Sequence, residues 1–264
     1  MTSEFQDREG QARRAFEAIR RPTRPSVERG SMSKRVGRLY DLIRTRYALS
    51  GDDDLKIAEQ AIVDASGASR NAVRAALSLL ADEGLIARQT RTGTRPVPLA
   101  RIAVDEWQEL GAYDPNEPDR VGYIAVGHET EEANPLLAEV TDVPVGTPTL
   151  VVESLLWHRG RRIGLLTSYL PRPSGIDSGG TIHDITALLR AAGPLSPSQT
   201  LTGASAAEDR AASLLGVPPG SPLAWVQDQI RSTSGEFVAL NYVRVRPDRA
   251  IFELTLKNSF GSDS

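Results

Sequence analysis

If the segment after Ser69 turns as a helix at about 100° per residue, Arg70, Asn71, Arg74 and Ser78 share one side. Val73, Ala76, Leu77 and Leu80 then share the other. Two guanidinium forks one turn apart, with an amide beside them, suit the edges that guanine and adenine present in the DNA major groove, which admits a single helix. A solvated surface helix would show the same alternation, so the neighbours matter. Lys56 and Gln60, on a shorter helix upstream, are placed to touch phosphates, contacts that fix register without reading sequence. Ser69 stands where an N-cap belongs. Arg91, Thr92, Gly93 and Thr94 form the basic tip of a hairpin, and the glycine permits close approach to a neighbouring groove.

Acid–base chemistry has fewer candidates. Glu153, His158, Arg161, Arg162, His183 and Asp184 are the best, but Arg159-Gly160-Arg161 reads as a turn, and side chains adjacent in sequence, such as His183 and Asp184, point apart. The chain has no cysteine and three scattered histidines, which excludes thiolate sites and argues against a histidine metal centre. The run Gly175-Ile176-Asp177-Ser178-Gly179-Gly180 lacks the lysine and strand–helix setting of a phosphate loop. We expect no enzyme activity, no cofactor and no metal.

The elements that position these residues follow from periodicity. Val36, Leu39, Tyr40, Ile43 and Tyr47 give one helical stripe from Ser33; a second helix is expected over about 57–65 and a third from Ser69 to about Asp82. A hairpin spans 85–97, and residues 99–117, within a stretch carrying Pro96, Pro98, Pro115 and Pro118 and no long periodic segment, read as a linker in which Ile102, Val104 and Trp107 suggest that part packs down. Beyond it we expect strands near 121–126, 149–157, 163–170, 198–204, 223–231, 237–246 and 250–256, with helices near 134–140, 183–192 and 206–215. Two turns, 158–161 and 232–235, imply antiparallel pairs. Runs of strands with inserted helices make an α+β domain, and no period repeats along the chain. The expected boundaries are a basic disordered extension 1–32, a DNA-binding domain 33–98, the linker 99–117, a larger domain 118–258 and a tail 259–264.

At 264 residues the chain suits two domains, with 40% hydrophobic and 25% charged residues. The net charge of −3 hides a division: residues 1–100 carry 18 basic and 13 acidic side chains, net +5, and the remainder 13 and 21, net −8. A basic front on an acidic body suits a front that meets a polyanion. No apolar run spans a membrane and no secretory leader is visible, so a cytoplasmic location is expected.

The succession Ser69-Arg70-Asn71-Ala72-Val73-Arg74-Ala75-Ala76-Leu77, then Leu80-Ala81-Asp82-Glu83-Gly84-Leu85-Ile86, then Gly93-Thr94, resembles the GntR family of bacterial regulators. The resemblance implies a winged helix-turn-helix in which Arg70 and Arg74 hold the DNA-contacting positions and the hairpin is the wing. Departures are Lys56-Ile57-Ala58-Glu59 for the family's L-P-S-E, Gln60 for a frequent arginine, Arg91 for the first wing glycine and Arg95 for an aromatic residue.

The second region is similar to the UTRA ligand-binding domain of the HutC branch. The similarity rests on Leu165-Leu166-Thr167-Ser168-Tyr169-Leu170-Pro171, Leu214-Leu215-Gly216-Val217, Gly220-Ser221-Pro222-Leu223 and Arg246-Pro247-Asp248-Arg249. It implies a chorismate-lyase-like antiparallel-sheet fold, an effector pocket between sheet and helices, and dimerisation through the sheet. Where sugar-phosphate-sensing relatives carry R-x-R this chain has Ser154 and Leu156; their glutamate is Leu166, and a later polar pair is Ala239 and Leu240. Anions need fixed positive charge or converging donors, so the expected effector is less polar than a phosphosugar. Ser154, Thr167, Tyr169 and Asn241, with Arg231 or Arg244, are its candidate partners, though threonine and tyrosine on strands also serve packing. The expected molecule is a homodimeric repressor on an inverted-repeat operator of double-stranded DNA, with no membrane partner. The alternative is a regulator whose second domain only dimerises, with a lyase-like enzyme as the third reading.

Overall fold

The computed structural model describes residues 34–48, 55–89, 93–104, 110–171, 189 and 195–253. The extension 1–32, Arg91, Thr92, His183, Asp184, the glycine-rich run 175–180, most of the helix expected at 183–192 and the tail 259–264 lie outside them.

The head opens with α1 (Lys34–Ile43), which continues into a π-helical stretch, Arg44–Ala48. Helices α2 (Glu59–Ser66) and α3 (Arg70–Asp82) follow, then strands β1 (Ile86–Gln89) and β2 (Gly93–Pro96). Leu39 and Ile43 of α1, Ile62 of α2 and Val73, Ala76, Leu77 and Leu80 of α3 bury together with Leu85 and Ile86. The apolar stripes thus meet as their spacing requires. Gly67 takes a left-handed φ of 62° and donates its N–H to Val63 O at 2.9 Å, ending α2; Ser69 Oγ accepts from Ala72 N at 3.3 Å, starting α3. The second helix begins at Glu59 rather than at 57. Ile57 is extended and donates to Thr94 O at 2.9 Å, so it joins the wing sheet and cannot also turn.

The body is one six-stranded antiparallel sheet in the order β4-β5-β6-β9-β8-β7. Its strands are β4 (Gly122–Glu132), β5 (Pro148–His158), β6 (Arg161–Pro171), β7 (Leu195–Ala206), β8 (Pro222–Ser232) and β9 (Phe237–Val245). Helix α4 (Pro135–Thr141) follows β4 and α5 (Asp209–Leu215) follows β7. The order is palindromic because the domain contains two copies of one β-α-β-β unit, and this corrects the expectation of no repeat. Caps Asn134 and Glu208, left-handed Asp142 and Gly216, and Gly146 and Gly220 with φ of 85° and 80° are each 74 positions apart. The copies share little beyond Val-Pro-x-Gly-Thr/Ser-Pro at 143–148 and 217–222, too little to show as a period.

Residues 99–117 are not a free linker. Ala100–Ala103 form β3, which pairs in parallel with β10 (Ala250–Glu253), and Gly111 and Tyr113 bond along β4 at Tyr123. Ala100, Ile102 and Val104 are buried in the main core, so the alternation over four residues is that of a strand too short to stand out among prolines. Three residues, Val97-Pro98-Leu99, therefore join head to body.

The sheet has two unlike faces. The inner face, bearing Val152, Leu156, Leu166, Val226, Val243 and Val245, packs on β3, β10 and Tyr123. The outer face carries the helices: α5 covers Leu155 and Leu165, and α4 packs on Tyr169.

Candidate DNA-binding and effector sites

On α3, Ser69, Arg70, Asn71 and Arg74 are exposed together while the opposite stripe is buried. Neither arginine projects unsupported. Arg74 Nε lies 2.6 Å from Glu59 Oε1, and Arg70 Nη2 donates to Gln60 Oε1 at 3.0 Å, whose own amide nitrogen donates to Asp64 at 2.7 Å. Helix α2 thus holds both guanidinium groups before any DNA arrives, which lowers the entropy lost on binding. Lys56 is exposed just before α2. In the wing, Gly93 is exposed with φ of 85°, and Thr94 is half-buried, its carbonyl tied to Ile57. Tyr40 OH donates to Glu83 at 2.6 Å; burial, then this bond, push its pKa up to about 12, so it stays protonated and clamps α1 to the end of α3.

The expected effector residues divide between the faces of the body sheet. Thr167, Tyr169 and Arg244 meet on the outer face, in a cleft of about 410 Å3 between α4 and the sheet that Gln227 and Tyr242 also line. Arg244 lies over the Tyr242 ring at 5.6 Å and donates to Glu208 Oε1 at 3.1 Å, but its buried Nε has no partner among the described residues. Burial pushes the Tyr169 phenol pKa up, with Glu131 and Glu153 adding to the rise. Ser154 and Asn241 lie on the inner face, because adjacent strand residues point to opposite sides. Arg231 is in neither place: it donates to Gly235 O at 3.0 Å, lies over Phe237 and faces Asp142, bracing a hairpin.

On the inner face Ser168, Asn241, Asp228 and Thr200 stand opposite one another on four successive strands. Ser168 donates to Asn241 Oδ1 at 2.7 Å and Thr200 to Asp228 Oδ1 at 2.8 Å. Asp228 is 3% exposed with no basic partner among the described residues, and burial pushes its carboxyl pKa up. The Ser154 hydroxyl, fully buried on the same face, has no hydrogen-bond partner among them either. Leu156, Leu166 and Ala239 are buried in this face, whereas Leu240 lines the outer cleft.

Residues 37–95 match the model of the bacterial regulatory proteins, gntR family, and residues 118–250 match the UTRA domain, half of the chain. The chain belongs to the GntR family. It is a GntR-type transcriptional regulator with a UTRA effector-binding domain, of the HutC kind. PhnF from Mycobacterium smegmatis shares its fold, at 24% identity and a TM-score of 0.54, over 83% of this chain and 99% of that one. The Bacillus subtilis protein YydK is similar at 15% identity and 0.49, over 84% and 99%. No curated protein matches the regulator.

In this regulator the acid–base candidates among the described residues do not converge. Glu153 pairs with Arg210, Arg162 donates to Leu214 O and His158 is buried at a strand end; no cluster of metal-binding side chains occurs among the described residues. Nor is any helix among them long and apolar enough to cross a membrane. Sequence reasoning missed Ser168, Asp228 and Thr200. Each is an ordinary strand residue until the register puts the row together.

Proposed function

We propose that this GntR regulator is a homodimeric repressor whose affinity for an inverted-repeat operator is set by a small neutral or cationic effector, not a phosphosugar, bound against the inner face of the UTRA sheet. The observation that carries this reading is the polar row Ser168–Asn241–Asp228–Thr200 with Ser154, set in an otherwise apolar face. A buried polar group without a partner costs about 1–3 kcal/mol, and a ligand supplying donors would offset it. A buried carboxyl without a basic neighbour repels an anion, and Leu156, Leu166 and Ala239 offer apolar contact. Asn241 and Ser154 are then effector partners. Thr167, Tyr169 and Arg244 belong to the outer cleft, whose rim residues Leu136 and Val140 are 70% and 38% exposed and suit a second copy of the chain.

Arg70, Asn71 and Arg74 read bases, Lys56, Gln60 and Ser69 approach phosphates, and the wing with Gly93 and Thr94 follows the adjacent groove. The test is a thermal-shift screen of neutral, cationic and phosphorylated metabolites, followed by operator titration. A neutral or cationic hit should raise stability and change operator affinity, and operator should change ligand affinity by the same factor. A phosphosugar hit would overturn the ligand class. Stabilisation by none would favour the reading in which the domain only dimerises, which the apolar packing at Leu156, Leu166 and Ala239 also fits.

A further inference from the structure

A cleft of about 570 Å3 lies where the head meets the body, separate from both faces of the sheet. Arg95 of the wing lines one side; His158, Arg159, Arg161 and Arg249 line the other, and no acidic residue among the described ones lines it. Two of the guanidinium groups near this cleft share one acid. Asp248 serves two guanidinium groups at once, Arg246 at 2.8 Å and Arg249 at 3.6 Å, and Arg159 pairs with Asp119 at 2.5 Å. Arg161 has no acidic partner among the described residues. Burial, then the charges of Arg246 and Arg161, lower the Arg249 pKa despite Asp248, so positive charge is crowded here.

The site is also built rather than loose. Arg159 and Gly160 take φ of 49° and 70°, the two-residue turn that fixes a hairpin tightly. Arg159 N donates to Pro118 O at 2.7 Å and Gly160 N to the Tyr113 hydroxyl at 2.9 Å, pinning the turn that carries Arg159 and Arg161. The cleft straddles the only covalent connection between the domains, Val97-Pro98-Leu99, and the next residue, Ala100, donates its N–H to Arg249 O at 2.9 Å.

We propose that this cleft binds a small polyanion bearing phosphate or carboxylate groups, which bridges Arg95 of the head to Arg161 and Arg249 of the body and so fixes the angle of the head. With an anion in the cleft, both sides donate charge-assisted hydrogen bonds to the same oxygens. The ligand is an anion, unlike the neutral or cationic effector proposed above, and occupies a different place. It is thus a second input on the same head, and it stands or falls independently of the inner-face reading.

The test is calorimetric titration of the full chain with pyrophosphate, and with citrate as a carboxylate probe, beside operator binding with and without pyrophosphate. Arg161→Ala, at an exposed position, and Arg249→Gln should each weaken pyrophosphate binding about tenfold or more, the scale of losing charge-assisted hydrogen bonds. Arg210→Ala, an exposed arginine outside the cleft, should leave it unchanged. Pyrophosphate should shift operator affinity in the parent chain and not in Arg161→Ala. Absence of pyrophosphate and citrate binding at millimolar concentration, or binding indifferent to both replacements, overturns the site. An unaltered operator affinity on saturation overturns the coupling. If Arg161→Ala without any anion weakens DNA binding and flattens its salt dependence, the arginines touch the DNA backbone and the small-anion proposal fails.

Discussion

Replacing Arg74 with alanine separates what this side chain does for the fold from what it does on DNA. In the free protein the change removes one ion pair, Nε to Glu59 Oε1 at 2.6 Å, between side chains 66% and 37% exposed. A pair so open to solvent contributes about 0–1 kcal/mol, and alanine is the better helix former, so folding stability should change by less than about 1 kcal/mol. On the operator the same change removes the proposed base contact, worth about 1–3 kcal/mol where it is bidentate. Two heads on an inverted repeat double this to about 2–6 kcal/mol, a loss of roughly 30-fold to more than 10,000-fold in affinity. The assay is fluorescence anisotropy with an operator selected from random DNA, run between about 50 and 200 mM salt. A base contact predicts a large loss on operator, a small loss on random sequence and an unchanged salt slope. A phosphate contact instead predicts a uniform loss and a slope lower by about 1 per contact. Operator binding unaffected by both Arg70→Ala and Arg74→Ala would refute the assignment of α3 as the reading helix.

Three further outcomes are expected. Burial raises the Asp228 pKa above its ordinary value of 3.8, so the folded chain holds more protons there than the unfolded one. Its contribution is then full below that value and lost as pH rises through the folded one. Asp228→Asn should therefore gain stability relative to the parent at pH 7 compared with pH 3.5, measured by urea unfolding; a difference that does not vary with pH contradicts this. A Cβ at Gly122 would stand 2.5 Å from Tyr113 Cα and 2.8 Å from its N, both backbone, so Gly122→Ala should destabilise by about 1–3 kcal/mol or more. Unfolding at the parent denaturant midpoint would show that the strand edge yields. Deleting residues 1–30, which carry seven arginines, should lower nonspecific DNA affinity and flatten its salt dependence; an identical slope would show that the extension touches no phosphate.

Much of the head was legible because its signals are local. The apolar stripes of α1 and α3 and the Ser69 cap each lie within one helix, where contacts repeat every three or four residues. The wing was partly legible: the hairpin is local, but the bridge from Ile57 to Thr94 that shortens α2 joins residues 37 apart. In the body, the two hairpin turns and most strands could be read. The face each residue occupies could not, and for a candidate effector site the face is what counts. Ser154, Thr167, Tyr169, Asn241 and Arg244 form one plausible set in sequence and two separate sets in the sheet.

The amino-acid sequence by itself determined a basic helix-turn-helix front, an antiparallel α+β body and the absence of cysteine chemistry, because composition, periodicity and turn residues act over a few positions. Tertiary structure alone decided three things: the polar row on the inner face, the tie between linker and final strand, and the arginine cleft between head and body. Each joins residues far apart along the chain, such as Thr200 with Asp228, Ala100 with Ala250 and Arg95 with Arg249. Strand register and the packing of one domain on another are settled by the burial of whole surfaces. No short segment carries that information, and in this regulator the proposed ligand-facing chemistry lies there.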